Sequence, residues 1–108
     1  MRYRIIITPE AEADLRNAAS YIRRDNPRAA LAWLKGARQR MKSLAQYPER
    51  CALAPESTSF NFNEPIRELF YGHGNRGTYR ILFVVLAGTV FVVHIRHGAM
   101  LPLKSDDL

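Results

Sequence analysis

Two apolar runs near the end of the chain constrain its fold more than any other feature. Residues 78–86 (TYRILFVVL) and residues 89–97 (TVFVVHIRH) are rich in β-branched and aromatic side chains. The two residues between them, Ala87 and Gly88, favour a tight turn. The pattern therefore predicts a β-hairpin as the centre of the fold.

The length of the turn sets the register of this hairpin. If the turn has two residues, the cross-strand pairs alternate between the two faces of the sheet. On one face the predicted pairs are Val85–Val90, Phe83–Val92, Ile81–His94 and Tyr79–Arg96. On the other face they are Val84–Phe91, Leu82–Val93, Arg80–Ile95 and Thr78–His97. A β-bulge would shift every pair beyond it.

The first half of the chain predicts one strand and two helices. Residues 2–7 (RYRIII) favour a strand. Thr8 followed by proline is a helix start signal, and Asn26 followed by proline repeats it for a second helix that ends near Pro48. Because almost nothing separates the two helices, they are predicted to form an antiparallel hairpin.

A third late strand is predicted at residues 66–71, before a glycine-rich turn. The element order is then β-α-α-β-β-β over a single domain, residues 1–108. This order predicts an α+β fold in which the helix hairpin packs on a curved, mainly antiparallel sheet.

Both faces of the predicted hairpin are apolar in the middle, so both need cover. The helix pair covers one face. For the other face two candidates stay open. One is the chain's own irregular connection at residues 48–65, with Phe60 and Phe62, and the other is a second protein.

Composition excludes several classes of protein. An apolar content of 47% with 24% charged residues argues against disorder. No run approaches the roughly 18 apolar residues of a membrane helix, and the short run at residues 5–7 is no signal peptide, so we expect a cytoplasmic protein. Cys51 is the one cysteine, which excludes an internal disulfide. No metal site and no cofactor are expected.

The net charge of +6, with 13 arginines among 16 basic residues, favours an acidic partner, either a nucleic acid or an acidic protein segment. Polar groups cluster at the strand ends of the hairpin: Arg67, Tyr79, Arg80, His94, Arg96 and His97. Glu64 and Glu68 are the expected ion-pair partners, and they are too few to pair with every cation. We therefore expect part of this cluster to contact an external anion.

The chain over about residues 2–103 resembles the RelE/ParE superfamily of toxins from bacterial type II toxin-antitoxin systems. The resemblance is carried, in order, by residues 8–15 (TPEAEADL), Tyr21-Ile22, Asn26-Pro27, Ala29-Ala30, Pro48, Arg67, Tyr79-Arg80-Ile81 and residues 94–99 (HIRHGA). It implies the toxin of a plasmid-stabilisation type of module. It also implies a small acidic antitoxin that wraps the toxin and contributes to the cover of the sheet.

The superfamily has two activities on one scaffold. RelE-like members cleave mRNA in the ribosomal A site, and this branch implies catalytic roles for Arg67, Arg80, Arg96 and His97. The sequence departs from that pattern at residues 99–101 (AML), where RelE-like toxins continue with basic residues and then a tyrosine or histidine.

ParE-like members inhibit DNA gyrase by binding, and the Tyr21 segment and the HGA ending are closer to this branch. We therefore predict a gyrase-binding toxin, with a ribosome-dependent mRNA endoribonuclease as the alternative and a non-toxic nucleic-acid-binding module as the second alternative. The residues predicted to bind the target or the antitoxin are Arg67, Tyr79, Arg80, Leu82, Val84, Phe91, Val93, Arg96 and His97.

Overall fold

The computed structural model describes residues 2–59, 64–72 and 78–98. The elements are β1 (Arg4–Ile7), α1 (Pro9–Asp25), α2 (Pro27–Lys42), α3 (Pro55–Ser59), β2 (Arg67–Gly72), β3 (Thr78–Leu86) and β4 (Thr89–His97). The strands form one sheet in the order β1-β4-β3-β2. β1 is parallel to β4, and the other pairs are antiparallel. The predicted α+β fold is confirmed.

Both long helices begin where the sequence predicts. The side chains of Thr8 and Asn26 each accept a hydrogen bond from the amide three residues further on, at 3.2 and 3.1 Å. A proline follows each cap. The backbone N–H that proline lacks would have no hydrogen-bond partner inside the helix at this position, so the helix loses nothing. α2 ends at Lys42, earlier than predicted, and the chain continues as a 3₁₀ turn at Ser43–Ala45.

The main core lies between the helix hairpin and one face of the sheet. Trp33 of α2 is fully buried, and its ring lies 5.8 Å from that of Tyr71 on β2 and 4.9 Å from that of Tyr79 on β3. The Tyr71 hydroxyl donates a hydrogen bond to the carbonyl of Trp33 at 2.9 Å. These contacts fix α2 over β2 and β3.

The register of the β3–β4 hairpin is as predicted near the turn and wrong beyond it. The turn residues Ala87 and Gly88 both have positive φ, which suits a two-residue hairpin turn. The three pairs Val85–Val90, Val84–Phe91 and Phe83–Val92 are as predicted. A β-bulge then shifts the rest by one residue, to Leu82–His94, Ile81–Ile95, Arg80–Arg96 and Tyr79–His97. The predicted partners of Ile81, Tyr79, Leu82, Arg80 and Thr78 are therefore wrong.

Contacts from Thr8 and from helix α1 lie beside the bulge. Thr8 donates to the carbonyl of Val92 from both its amide (3.0 Å) and its hydroxyl (2.8 Å). One carboxylate oxygen of Asp14 then accepts the amide of Ile95 at 2.9 Å and lies 3.1 Å from Nδ1 of His94. The pairing of β1 with β4 ends at Val92. Beyond that point, Thr8 and Asp14 supply hydrogen-bond partners for backbone groups at the edge of β4 that β1 no longer pairs with.

The second face of the sheet is covered in part by the chain itself. A small buried cluster of Ala54, Ile66 and Leu82 lies here, separate from the main core. The connection between α2 and β2 thus supplies cover, and it is more regular than predicted, since it contains α3 and a 3₁₀ turn at Pro48–Arg50. Phe60 and Phe62 lie outside the described residues.

An ion pair between the helices makes stability depend on pH. Arg38 donates to Glu12 at 2.6 Å, and this hydrogen bond lowers the pKa of Glu12. A lowered folded-state pKa stabilises the fold above the ordinary glutamate range, and this stabilisation is lost as the pH falls through the folded-state pKa. Because the Arg38 side chain is exposed and that of Glu12 is half-buried, the contribution is below about 1 kcal/mol.

We expect Glu12→Gln to lower the free energy of unfolding by a few tenths of a kcal/mol near pH 7 and to have no effect near pH 2. Urea titrations at both pH values measure this difference. Glu10→Gln, which removes a charge from the same helical turn, is the control. An equal loss at both pH values would contradict the prediction.

Candidate functional site

The structure divides the predicted site residues among three places. Tyr79, Arg96 and His97 line a cleft of about 640 Å³ between α1 and the end of β4. Five others belong to the second face of the sheet: Arg80, Leu82, Val84, Phe91 and Val93. Arg67 lies at the start of β2, against the connection. The predicted residues therefore do not form one site.

The first place, which we call the strand-end cleft, combines aromatic and polar groups. The rings of Tyr79 and His97 meet edge to face, with centroids 5.0 Å apart. Tyr21 on α1 is 67% exposed at the rim, and the guanidinium of Arg24 lies 5.9 Å from its ring centroid. Tyrosine and arginine are among the side chains that are enriched at the energetic hot spots of protein interfaces.

Besides Ala18, helix α1 contributes three polar residues to the cleft that were not among the predicted site residues: Asp14, Asn17 and Tyr21. Their spacing of three and four residues places them on one face of α1. This polar stripe is visible in the sequence. The sequence does not show which element lies opposite this stripe and forms the cleft with it, because the packing of α1 on β4 decides this.

Arg80 on the second face is 6% exposed, and all three of its guanidinium nitrogens donate to carboxylates. Nε donates to Glu68 at 2.9 Å, while Nη1 and Nη2 donate to the two oxygens of Glu56 at 3.2 and 2.5 Å. Burial lowers the pKa of Arg80. The two carboxylates raise this pKa by more than burial lowers it, so the net shift is upward. The ion-pair partners are Glu68, as expected, and Glu56 instead of Glu64.

Arg67 also makes contacts within the chain. Its Nη1 donates to the carbonyl of Cys51 at 2.7 Å and to that of Glu49 at 3.3 Å. These bonds hold the connection against the start of β2. Cys51 itself is buried, and burial raises the pKa of its thiol, so it is a weak nucleophile at neutral pH.

Part of the second face is an apolar surface that residues 2–59, 64–72 and 78–98 leave partly exposed, which we call the open strip. It consists of Ile6, Val84, Leu86, Phe91 and Val93, which the strand register and the packing of the small cluster place on this face. Ile6 and Leu86 are exposed, and the others are half-buried. A contiguous apolar surface of this kind is typical of a protein-binding site.

Residues 2–59, 64–72 and 78–98 contain neither a candidate metal-binding cluster nor a candidate membrane-spanning helix. There, no three side chains of histidine, cysteine or acidic type lie together in a group that could hold a metal ion. No helix in the same ranges is long and apolar enough to cross a lipid bilayer.

The helix hairpin, the mixed four-stranded sheet and the motifs they carry place the chain in the RelE/ParE superfamily of toxins, as the resemblance predicted. A family model described as the ParE toxin of the type II toxin-antitoxin system, parDE, matches residues 5–102. The chain therefore belongs to the ParE toxin family.

A solved structure titled "Chromosomal ParDE TA system from P. aeruginosa" has the same fold, with a TM-score of 0.66. The sequences are 21% identical, and the match covers 89% of this chain and 96% of that one. No curated protein matches the chain. The catalytic and binding roles of the individual residues stay predictions.

Proposed function

We propose that this toxin arrests bacterial growth by binding DNA gyrase in the cytoplasm, and that a cognate acidic antitoxin of a plasmid-stabilisation type of module neutralises it. Membership of the ParE family supports the toxin role. The net charge of +6 supports an acidic partner. The open strip supports an antitoxin that lies across the second face of the sheet and buries Phe91 and its neighbours.

The observation that carries the choice of a binding inhibitor is the environment of Arg80. A nuclease arginine has to reach the phosphate on which charge develops during cleavage. Arg80 is instead buried and donates from all three nitrogens to Glu56 and Glu68. Arg67, another nuclease candidate, donates to backbone carbonyls. This arrangement favours inhibition by binding over RNA cleavage.

For the surface that contacts gyrase we propose the strand-end cleft. Tyr21 at its rim is exposed, and Arg96 and His97 add polar groups beside it. The cleft and the open strip contain different residues, so the target and the antitoxin need not contact the same side chains. Purified toxin is expected to block supercoiling by gyrase or to trap cleaved DNA, and added antitoxin is expected to reverse this effect.

We expect Tyr21→Ala to weaken gyrase inhibition about tenfold, because truncating an exposed aromatic anchor at an interface costs roughly 1–2 kcal/mol. Supercoiling assays over a range of toxin concentrations measure this change. Tyr47→Ala is the matched control, since Tyr47 is 80% exposed and lies away from the cleft. Equal potency of the two variants would remove the cleft from the proposal.

A second candidate function is ribosome-dependent mRNA cleavage, which one observation favours. Tyr79, Arg96 and His97 line the same cleft, and tyrosine and histidine are side chains that act as general acids and bases in enzymes. The test is to add the toxin to translating ribosomes and to map the mRNA ends. Cut mRNA together with unaffected gyrase would replace the gyrase proposal with this one.

A further inference from the structure

We propose that the toxin has a phosphate-binding site beside the C-terminal end of helix α2, where Arg40, Arg50 and Arg67 form what we call the arginine cluster. The cluster shares no residue with the strand-end cleft or the open strip. Its ligand is a phosphate monoester, either a small phosphorylated compound or the terminal phosphate of a nucleic-acid strand. The proposal goes beyond the gyrase target and does not depend on it.

Hydrogen bonds join the three arginines to one another. Nη2 of Arg50 donates to the hydroxyl of Ser43 at 3.2 Å, and this hydroxyl donates to the carbonyl of Arg40 at 2.6 Å. Nη1 of Arg67 donates at 2.7 Å to the carbonyl of Cys51, the residue after Arg50. The last turn of α2, the 3₁₀ turn that follows it in the connection and the start of β2 therefore bring the three side chains to one place.

The electrostatics of Cys51 agree with this arrangement. Burial raises the pKa of its thiol, and the positive charges of Arg50, Arg40 and Arg67 all act in the opposite direction. Because the interaction between two charges weakens with distance, each of the three guanidinium groups must lie near this one side chain. The positive charge of the cluster is therefore concentrated around a single point.

No acid neutralises this charge in the part of the chain that the structure describes, since none of the ion pairs found there includes a member of the cluster. The carboxylate of Glu49, next to Arg50, accepts instead from the hydroxyl of Tyr3 at 3.4 Å. The carbonyls of Gln46 and Tyr47, which would repel an anion, already accept from Nη1 of Arg50 at 2.6 and 3.1 Å. The cluster therefore keeps positive charge that attracts an anion.

The guanidinium groups are held in place and still have N–H groups to donate. Arg40 donates from Nε to the carbonyl of Phe70 at 3.1 Å, and its two terminal nitrogens make no hydrogen bond to the described residues. Nε and Nη2 of Arg67 make none to these residues either. Arg40 and Arg50 are exposed, and Arg67 is half-buried. Because existing bonds already order the side chains, a ligand that reaches them costs less conformational entropy.

The charge of the cluster favours a phosphate over a carboxylate as its ligand. A carboxylate neutralises one guanidinium, as Glu56 does when both of its oxygens accept from Arg80. A phosphate monoester has three acceptor oxygens and a charge of about −1.5 to −2 at neutral pH, so it compensates for more of the cluster. The planar guanidinium also donates two parallel hydrogen bonds to phosphate oxygens, which a lysine cannot do.

The first test titrates inorganic phosphate at constant ionic strength near pH 7 against two variants, Arg40→Gln and Arg23→Gln. Both variants lose one positive charge from an exposed helix position. The two positions lie at opposite ends of the helix hairpin, since Arg23 is in the last turn of α1 and Arg40 is in that of α2. We expect Arg40→Gln to bind phosphate about tenfold more weakly than Arg23→Gln does. Equal affinities would overturn the proposal.

The second test uses the unmodified protein, so it stands even if a variant folds poorly. The NMR signals of the backbone amides and of the arginine Nε–H groups are followed while phosphate replaces chloride. We expect the largest shifts at the Nε–H groups of Arg50 and Arg67 and at the amide of Cys51. Largest shifts in the strand-end cleft, or no shifts at all, would contradict the site.

Two oligothymidylates, one with a terminal phosphate and one without, identify the source of the ligand. If the phosphorylated strand binds at least about fivefold more tightly and Arg40→Gln removes this difference, the site binds the end of a nucleic-acid strand. If the two strands bind equally while inorganic phosphate still binds at the cluster, the site binds a small phosphorylated compound. No step uses gyrase, so a negative gyrase assay would overturn the proposed target alone.

Discussion

Replacing Arg80 with methionine is expected to lower the free energy of unfolding by about 3–5 kcal/mol. The guanidinium holds two carboxylates in a nearly dry region, since Glu56 is fully buried and Glu68 is 12% exposed at its side chain. Without Arg80, these two charges lose the group that compensates for their burial. Chemical denaturation of the two proteins near pH 7 measures the difference.

A triple variant provides the control for this prediction. Arg80→Met combined with Glu56→Gln and Glu68→Gln removes the cation and both anions together, so no charge is left without compensation. We expect it to recover more than half of the lost stability, because replacing a whole buried ionic group costs far less than breaking it. A single Arg80→Met variant as stable as the unmodified protein would contradict the structure of this network.

The stability of Arg80→Met affects how toxicity assays on Arg80 variants are interpreted. A non-toxic Arg80 variant would suggest a functional arginine, although simple loss of the fold would produce the same phenotype. Glu56→Gln is the more informative variant to compare with it, because Glu68 still pairs with Arg80 in that variant. Growth assays on Arg80 variants therefore need the measured stability of each variant beside them.

Gly36→Ala is expected to destabilise the protein by about 2 kcal/mol, although the same change at most helix positions stabilises by roughly 1 kcal/mol. A methyl group at Gly36 would lie 2.1 Å from the hydroxyl oxygen of Tyr71 and 3.0 Å from the ring carbon that bears it. The ring cannot easily move, because it packs on Trp33 and its hydroxyl donates to the Trp33 carbonyl.

The control for this prediction is the Tyr71→Phe background, in which the closest clashing atom is absent. There, Gly36→Ala should cost less than about 1 kcal/mol, since the remaining ring contacts are only slightly too close. Thermal and urea denaturation of the four proteins in this cycle give the coupling between the two positions. A stabilising Gly36→Ala in the unmodified background would show that Tyr71 does not pack against α2 at this point.

Elements that depend on neighbouring residues were predictable from the sequence. The caps at Thr8 and Asn26 act over three residues, and both were found as predicted. The bounds of β3 and β4 and their two-residue turn also agree, because β-branched runs and a turn are local signals. Order and spacing of such motifs were enough to identify the superfamily.

The candidate site was only partly predictable. Tyr79, Arg96 and His97 were selected as polar groups at strand ends, and the structure brings them together in the strand-end cleft. Asp14 was missed, because its importance comes from contacts with β4, some 80 residues later in the chain. Those same contacts accompany the bulge that shifted the register of the hairpin.

The two apolar runs by themselves determined that this protein is built around a β-hairpin needing cover on both faces, because burial of alternating side chains follows from strand geometry. Only the tertiary structure decided how that cover is made. Whether Arg80 meets Glu56, Glu64 or an external anion depends on where a short helix lies across the sheet. That position results from many long-range contacts together, and no local pattern in the sequence encodes it.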